Sequence, residues 1–124
     1  MEKESESAVH MVKEFLHVLN LDYAGWKEAY FRFVMGDRFA GGEASCVVGD
    51  EVVLMDTWPK TLWNDIFACG EELLMAAGVE AGVLLLVVKD NQEFDIHLDF
   101  ADPDRWEITK MDGGTGIPKD IPKD

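Results

Sequence analysis

The segment from Glu93 to Phe100 alternates polar and apolar side chains, and this pattern restricts the possible fold more than any other in the chain. The apolar positions are Phe94, Ile96, Leu98 and Phe100, and the polar positions are Glu93, Asp95, His97 and Asp99. A period of two predicts a β-strand with one face in a core and the other in water. The polar side chains should form a row on the outside, roughly 6.6–7 Å apart. This row is either an ordinary solvated face or a negative surface for a cationic partner.

The rest of the chain predicts two helices and four further strands. Helical spacing covers 7–19 and, after a polar cap and a proline at 56–59, the segment up to Ala77, while strands are predicted over 26–35, 39–48, 52–55 and 82–88. The Gly41-Gly42 pair indicates a bulge in the second strand. The order α-β-β-β-α-β-β predicts an α+β two-layer domain, with both helices on one face of an antiparallel sheet. Its other face should be partly open to water and carry the acidic row.

Length and composition indicate a single domain over 1–124, because 124 residues with 48% hydrophobic side chains can bury a core. We expect an ordered core over about 7–111 and a poorly packed tail over 112–124, where Gly-Gly and a repeated Ile-Pro-Lys-Asp occur. Cys46 and Cys69 form no CxxC pair and are expected to be buried thiols of a reducing compartment. The first residues do not have the pattern of a secretory signal, so we expect a cytoplasmic protein.

The net charge of −14 narrows the class of partner. Nucleic acid and anionic membranes would be repelled by so acidic a chain, so we expect it to bind neither. A basic protein, a cationic ligand or a metal ion is favoured.

Two sets of side chains have the chemistry to bind a metal. Asp95, His97 and Asp99 share a strand face, and His10, Glu14 and His17 share a helix face. Neither set has the spacing of a dedicated metal site, and no nucleophile motif is present in the sequence. We therefore expect no catalytic residue, no metal site and no cofactor. Three tryptophans at element edges either pack as lids or anchor a protein partner: Trp26, Trp58 and Trp106.

Two local segments add a family resemblance. Gly25-Trp26-Lys27-Glu28-Ala29-Tyr30-Phe31-Arg32-Phe33 opens the first strand, and the acidic strand is followed by Asp102-Pro103-Asp104-Arg105-Trp106. In the order of its elements and in these segments, the chain over roughly 8–110 resembles the YezG-like family of bacterial toxin-immunity proteins. The resemblance implies a small cytosolic protein without enzymatic activity that binds and neutralises a toxin domain.

Charge geometry, independent of the resemblance, predicts where a basic toxin domain binds. The expected interface consists of Glu93, Asp95, His97 and Asp99 on the strand, Asp102 and Asp104 at its end, and Asp50 and Glu51 at a turn. These carboxylates can cover a basic active site by mimicking phosphates. Two alternatives stay open: a small metal-dependent enzyme or binding domain that uses Asp95, His97 and Asp99, and an acidic chaperone or adaptor for a secreted basic effector.

Overall fold

A computed structural model describes residues 2–36, 40–55, 60–78 and 81–119, and it describes their side chains except at 2–5, 60–63 and 112. Its elements are α1 (Glu2–Asp22), β1 (Trp26–Met35), β2 (Ala40–Val48), β3 (Glu51–Leu54), α2 (Lys60–Ala76), β4 (Gly82–Lys89), β5 (Phe94–Asp99) and a short 3-10 turn (Met111–Gly113). All neighbouring strands are antiparallel, in the spatial order β3-β2-β1-β4-β5. The predicted α+β fold and its element order are confirmed. The predicted helix start at 56–59, with Trp58, lies outside the described residues.

Both helices pack on one face of the sheet. Phe15 of α1 and Ile66 of α2 are fully buried in one cluster with Phe31 and Phe33 of β1. The Ser7 hydroxyl donates to the Glu72 carboxylate and so joins the two helices. The predicted end of α2 is confirmed, since Gly78 has a φ of +83° and donates its N–H to the Met75 carbonyl. No helix in the described ranges is long and apolar enough to cross a membrane.

The predicted bulge at Gly41-Gly42 is wrong. Both residues pair in regular register with β1, and the one irregularity between these strands lies between Trp26 and Glu28. Gly42 instead makes room for α2, because a Cβ there would come within 2.8 Å of the Phe67 ring. The glycine therefore sets the close approach of helix and sheet rather than a kink.

The second face of the sheet is covered, contrary to prediction. Residues 103–119, which we name the C-terminal strap, pass across it. Trp106 and Ile108 are buried there, with Ile117 beside them, against Tyr30, Val83, Leu85 and Val87. The Ser45 hydroxyl donates to the Gly116 carbonyl over 2.6 Å, and Pro118 is buried. The prediction of a poorly packed tail is thus wrong for residues 112–119. The helices, the sheet and the strap form three layers.

The two cysteines lie in the helix-side core as free thiols. Burial raises the pKa of both Cys46 and Cys69 to about 11. The expectation of buried thiols is confirmed, and neither has the lowered pKa of a reactive cysteine.

Candidate protein-binding surface

The acidic strand β5 is an edge strand, hydrogen-bonded to β4 on one side. Its apolar side chains face the helix layer as predicted, yet only Ile96 packs against the core. Phe94, Leu98 and Phe100 are 40%, 38% and 52% exposed. The prediction that all four are buried is wrong, because α2 lies over β1, β2 and β4 and leaves the edge strand largely uncovered.

Asp99 is a structural residue rather than a free charge. Its Oδ1 accepts the N–H groups of Ala101 and Asp102 at 2.8 and 3.0 Å, and its Oδ2 accepts the Arg105 guanidinium at 2.9 Å. The two backbone N–H groups, aided by Arg105, hold the pKa of Asp99 below its ordinary value. This carboxylate ends β5 and turns the chain back over the sheet, so its hydrogen-bonding capacity is already used within the chain.

His97 is half-buried beneath the strap. Its ring centroid lies 6.1 Å from that of Trp106, with the planes tilted by 49°. The strap therefore removes His97 from the free outer row that the alternation predicts. Trp26 is also buried, and its indole N–H donates to Asn20, so both described edge tryptophans pack as lids.

The remaining predicted carboxylates separate into groups. Glu93 and Asp95 are exposed at the start of β5, where they line a surface hollow of about 460 Å³ together with Gln92 and Phe94. Asp102 and Asp104 are exposed beyond its end, and the Asp104 N–H donates to the Asp102 carboxylate. Both ends of the edge strand thus carry exposed acids, with exposed apolar side chains between them.

Asp50 and Glu51 lie elsewhere. Asp50 is exposed in the β2–β3 turn, and Glu51 is exposed at the first residue of β3, the opposite edge strand. Four strand spacings separate β3 from β5, which is roughly 19 Å. The eight predicted interface residues therefore do not form one continuous surface.

The structure brings neither candidate metal set together. Asp99 is occupied by Arg105 and two N–H groups, and His10 lies 3.9 Å from Glu14 on an exposed helix face. No group of three metal-ligating side chains converges among the residues described. The metal-dependent alternative thus gains no support from the geometry.

Sequence reasoning missed Arg32, the buried cation of the second face. It is 6% exposed, and its guanidinium donates to the carbonyls of Pro103 and Arg105 and to the Glu43 carboxylate. An arginine between the apolar residues Phe31 and Phe33 was the available signal, since a buried charge requires partners. Arg32 holds the start of the strap over β1 and so directs the chain away from the β5 edge.

The comparisons with known proteins leave the family open. No model of a known protein family matches the chain, and no curated protein matches it. The YezG-like resemblance therefore stays a prediction.

Asp99 allows a test by pH. Because its pKa is lower in the folded chain, the charged carboxylate stabilises the fold above its ordinary pKa of 3.8, and this is lost as pH falls through the folded-state pKa. We expect Asp99→Asn to unfold more easily than the parent at neutral pH, with the difference shrinking on acidification. Chemical denaturation across this range measures it, with exposed Asp95→Asn as the control. A difference that does not change with pH would contradict the assigned role.

Proposed function

We propose that the chain is an immunity protein that binds a basic toxin domain and neutralises it by covering the active site. The observation that carries this proposal is the composition of the β5 edge. Exposed Phe94, Leu98 and Phe100 lie between the exposed acids Glu93 and Asp95 at one end and Asp102 and Asp104 at the other.

This composition supports protein binding. Interfaces combine apolar and aromatic anchors with a polar rim, and three large exposed apolar side chains, two on β5 and one directly after it, are a candidate anchor. The surrounding carboxylates favour Lys and Arg on the partner. The net charge of −14 attracts a basic domain over long range and raises the association rate.

The proposed interface is narrower than the set predicted from sequence. It keeps Glu93 and Asp95 as contacts for basic side chains, with Asp102 and Asp104 beyond the strand. Asp99 acts in the proposal only as a positioning residue, since it forms the turn that holds Asp102 and Asp104 in place. Asp50 and Glu51 lie outside the interface.

Coexpression tests the function. Candidate basic toxin domains, taken from the genes that flank the gene of this chain, are produced one at a time in a bacterial host, alone or together with the chain, and growth is followed. We expect one such domain alone to arrest growth, the chain to restore it, and the two proteins to purify as a complex. An unrelated protein of similar negative charge is the control. The proposal is wrong if the chain does not restore growth, or if the control restores it equally well.

A further inference from the structure

We propose that β5 accepts an additional strand from its partner, and that this strand alternates apolar residues with Lys or Arg. The inference rests on the proposed function, which it extends by naming the mode of binding. An extended segment that joins an open sheet edge gains affinity from main-chain hydrogen bonds and specificity from alternate side chains.

The hairpin between β4 and β5 sets which backbone groups point outward. The Lys89 N–H donates to the Glu93 carbonyl over 2.9 Å, at a three-residue loop that ends with Gln92 at a φ of 74°. In an antiparallel pair the residues bonded to the neighbour alternate. Asp95, His97 and Asp99 therefore direct their N–H and C=O groups toward β4. The backbone groups of Phe94, Ile96 and Leu98 point away from the sheet.

The outer edge is open along this length. Apart from the hairpin turn, no backbone hydrogen bond from the described part of the chain reaches residues 94–98 from outside the sheet. The chain leaves β5 through the Asp99 turn, and Arg32 then binds the carbonyls of Pro103 and Arg105 over β1. The strap thus runs inward across the second face and leaves room for a neighbouring strand.

The side chains of β5 define the chemistry of its occupant. On the helix side, Phe94 and Leu98 are partly exposed and would pack beside apolar residues of an added strand. On the opposite side, Asp95 is exposed and would pair with Lys or Arg. A second copy of this chain fits poorly, since it would bring another acidic edge and another net charge of −14 alongside.

Amide exchange with a defined probe tests the added strand. The probe is an end-blocked synthetic peptide of alternating Lys and Val that matches β5 in length, and the control has Glu in place of Lys. We expect the Lys peptide to slow exchange at the amides of Phe94, Ile96 and Leu98 by at least about tenfold at saturation. The amides of Asp95 and His97, already bonded to β4, serve as the internal reference. The Glu peptide should leave all of them unchanged.

A pair of substitutions at Leu98 separates the contribution of the backbone N–H to peptide binding from that of the apolar side chain. Leu98→Pro removes an outward N–H without removing a bond to β4, whereas Leu98→Ala removes only apolar surface. We expect Leu98→Pro to weaken peptide binding by about tenfold relative to Leu98→Ala. If the proline variant fails to fold, the amide exchange of the parent chain with the Lys and Glu peptides still tests whether a strand is added to β5.

The result that overturns the inference is a Lys peptide that protects no outward amide, or a Glu peptide that protects them equally. Restored growth in the coexpression experiment together with such a result would reject the added strand and leave the proposed function standing. Failure of the coexpression experiment would reject the proposed function itself.

Discussion

We expect the replacement of Arg32 by Met to lower the free energy of unfolding by about 3 kcal/mol, at the lower end of the range for breaking a buried ion pair. The guanidinium is almost fully buried and donates to two strap carbonyls and to Glu43 over 2.6–2.8 Å. Methionine fills much of the volume but leaves the carbonyls of Pro103 and Arg105 without these donors. We expect a loss at the lower end of that range because the Glu43 side chain is 36% exposed, so water can solvate its carboxylate when Arg32 is removed.

Urea denaturation measures this loss, and Lys119→Met is the matched control. Lys119 also pairs with a carboxylate, that of Glu107, but this ion pair lies within the strap, over 3.3 Å with a Lys119 side chain 55% exposed. Its replacement should cost at most about 1 kcal/mol, as exposed ion pairs do. Equal effects of the two substitutions would show that Arg32 does not hold the strap.

We expect the replacement of Trp106 by Ala to lower the free energy of unfolding by about 3–5 kcal/mol, as truncation of a large buried aromatic side chain does. Trp106 is 3% exposed and lies against the second face of the sheet with Arg105 stacked 5.2 Å from its ring centre. Its backbone has a φ of +60°, in the left-handed region that side chains other than glycine seldom adopt.

The backbone conformation makes a second variant informative. Glycine is usually less stable than alanine, by up to about 1 kcal/mol. At residue 106 the left-handed conformation costs alanine about 1–2 kcal/mol that glycine avoids. We therefore expect Trp106→Gly to be at least as stable as Trp106→Ala in the same urea measurement. The usual order, with glycine less stable, would contradict the conformation at this residue.

Local periodicity predicted the elements and their faces well, because the two-residue period of a strand and the 3.6-residue period of a helix are visible within each short segment. The alternation of 93–100 correctly indicated a strand and the side of the sheet on which Ile96 lies. It did not indicate that β5 is at an edge. Strand order depends on pairing between β1 and β4, which are distant in sequence. The exposure of Phe94 and Leu98 follows from that order.

The strap and the role of Asp99 escaped prediction for a different reason. Residues 103–119 have no regular period, and their position depends on single long-range contacts such as Arg32 with Pro103 and Ser45 with Gly116. Asp99 precedes a turn, where aspartate often accepts backbone N–H groups. Asp99 also continued the row of acidic residues on the strand, so the sequence allowed either role. In the structure its carboxylate accepts the local backbone N–H groups.

The central claim is that the β5 edge, rather than net charge alone, binds the basic partner. The most direct test is the dissociation constant of the complex with the basic domain that the chain neutralises in the coexpression experiment, for the parent, Asp95→Lys and Glu51→Lys. Both residues are exposed and both substitutions change the net charge equally, but Asp95 lies on β5 and Glu51 on the opposite edge strand. We predict that Asp95→Lys weakens binding by at least about thirtyfold, as loss of an interfacial charge partner does. Glu51→Lys should change binding only slightly, and both variants should melt near the parent temperature. Equal weakening by both substitutions, or by neither, would contradict the account.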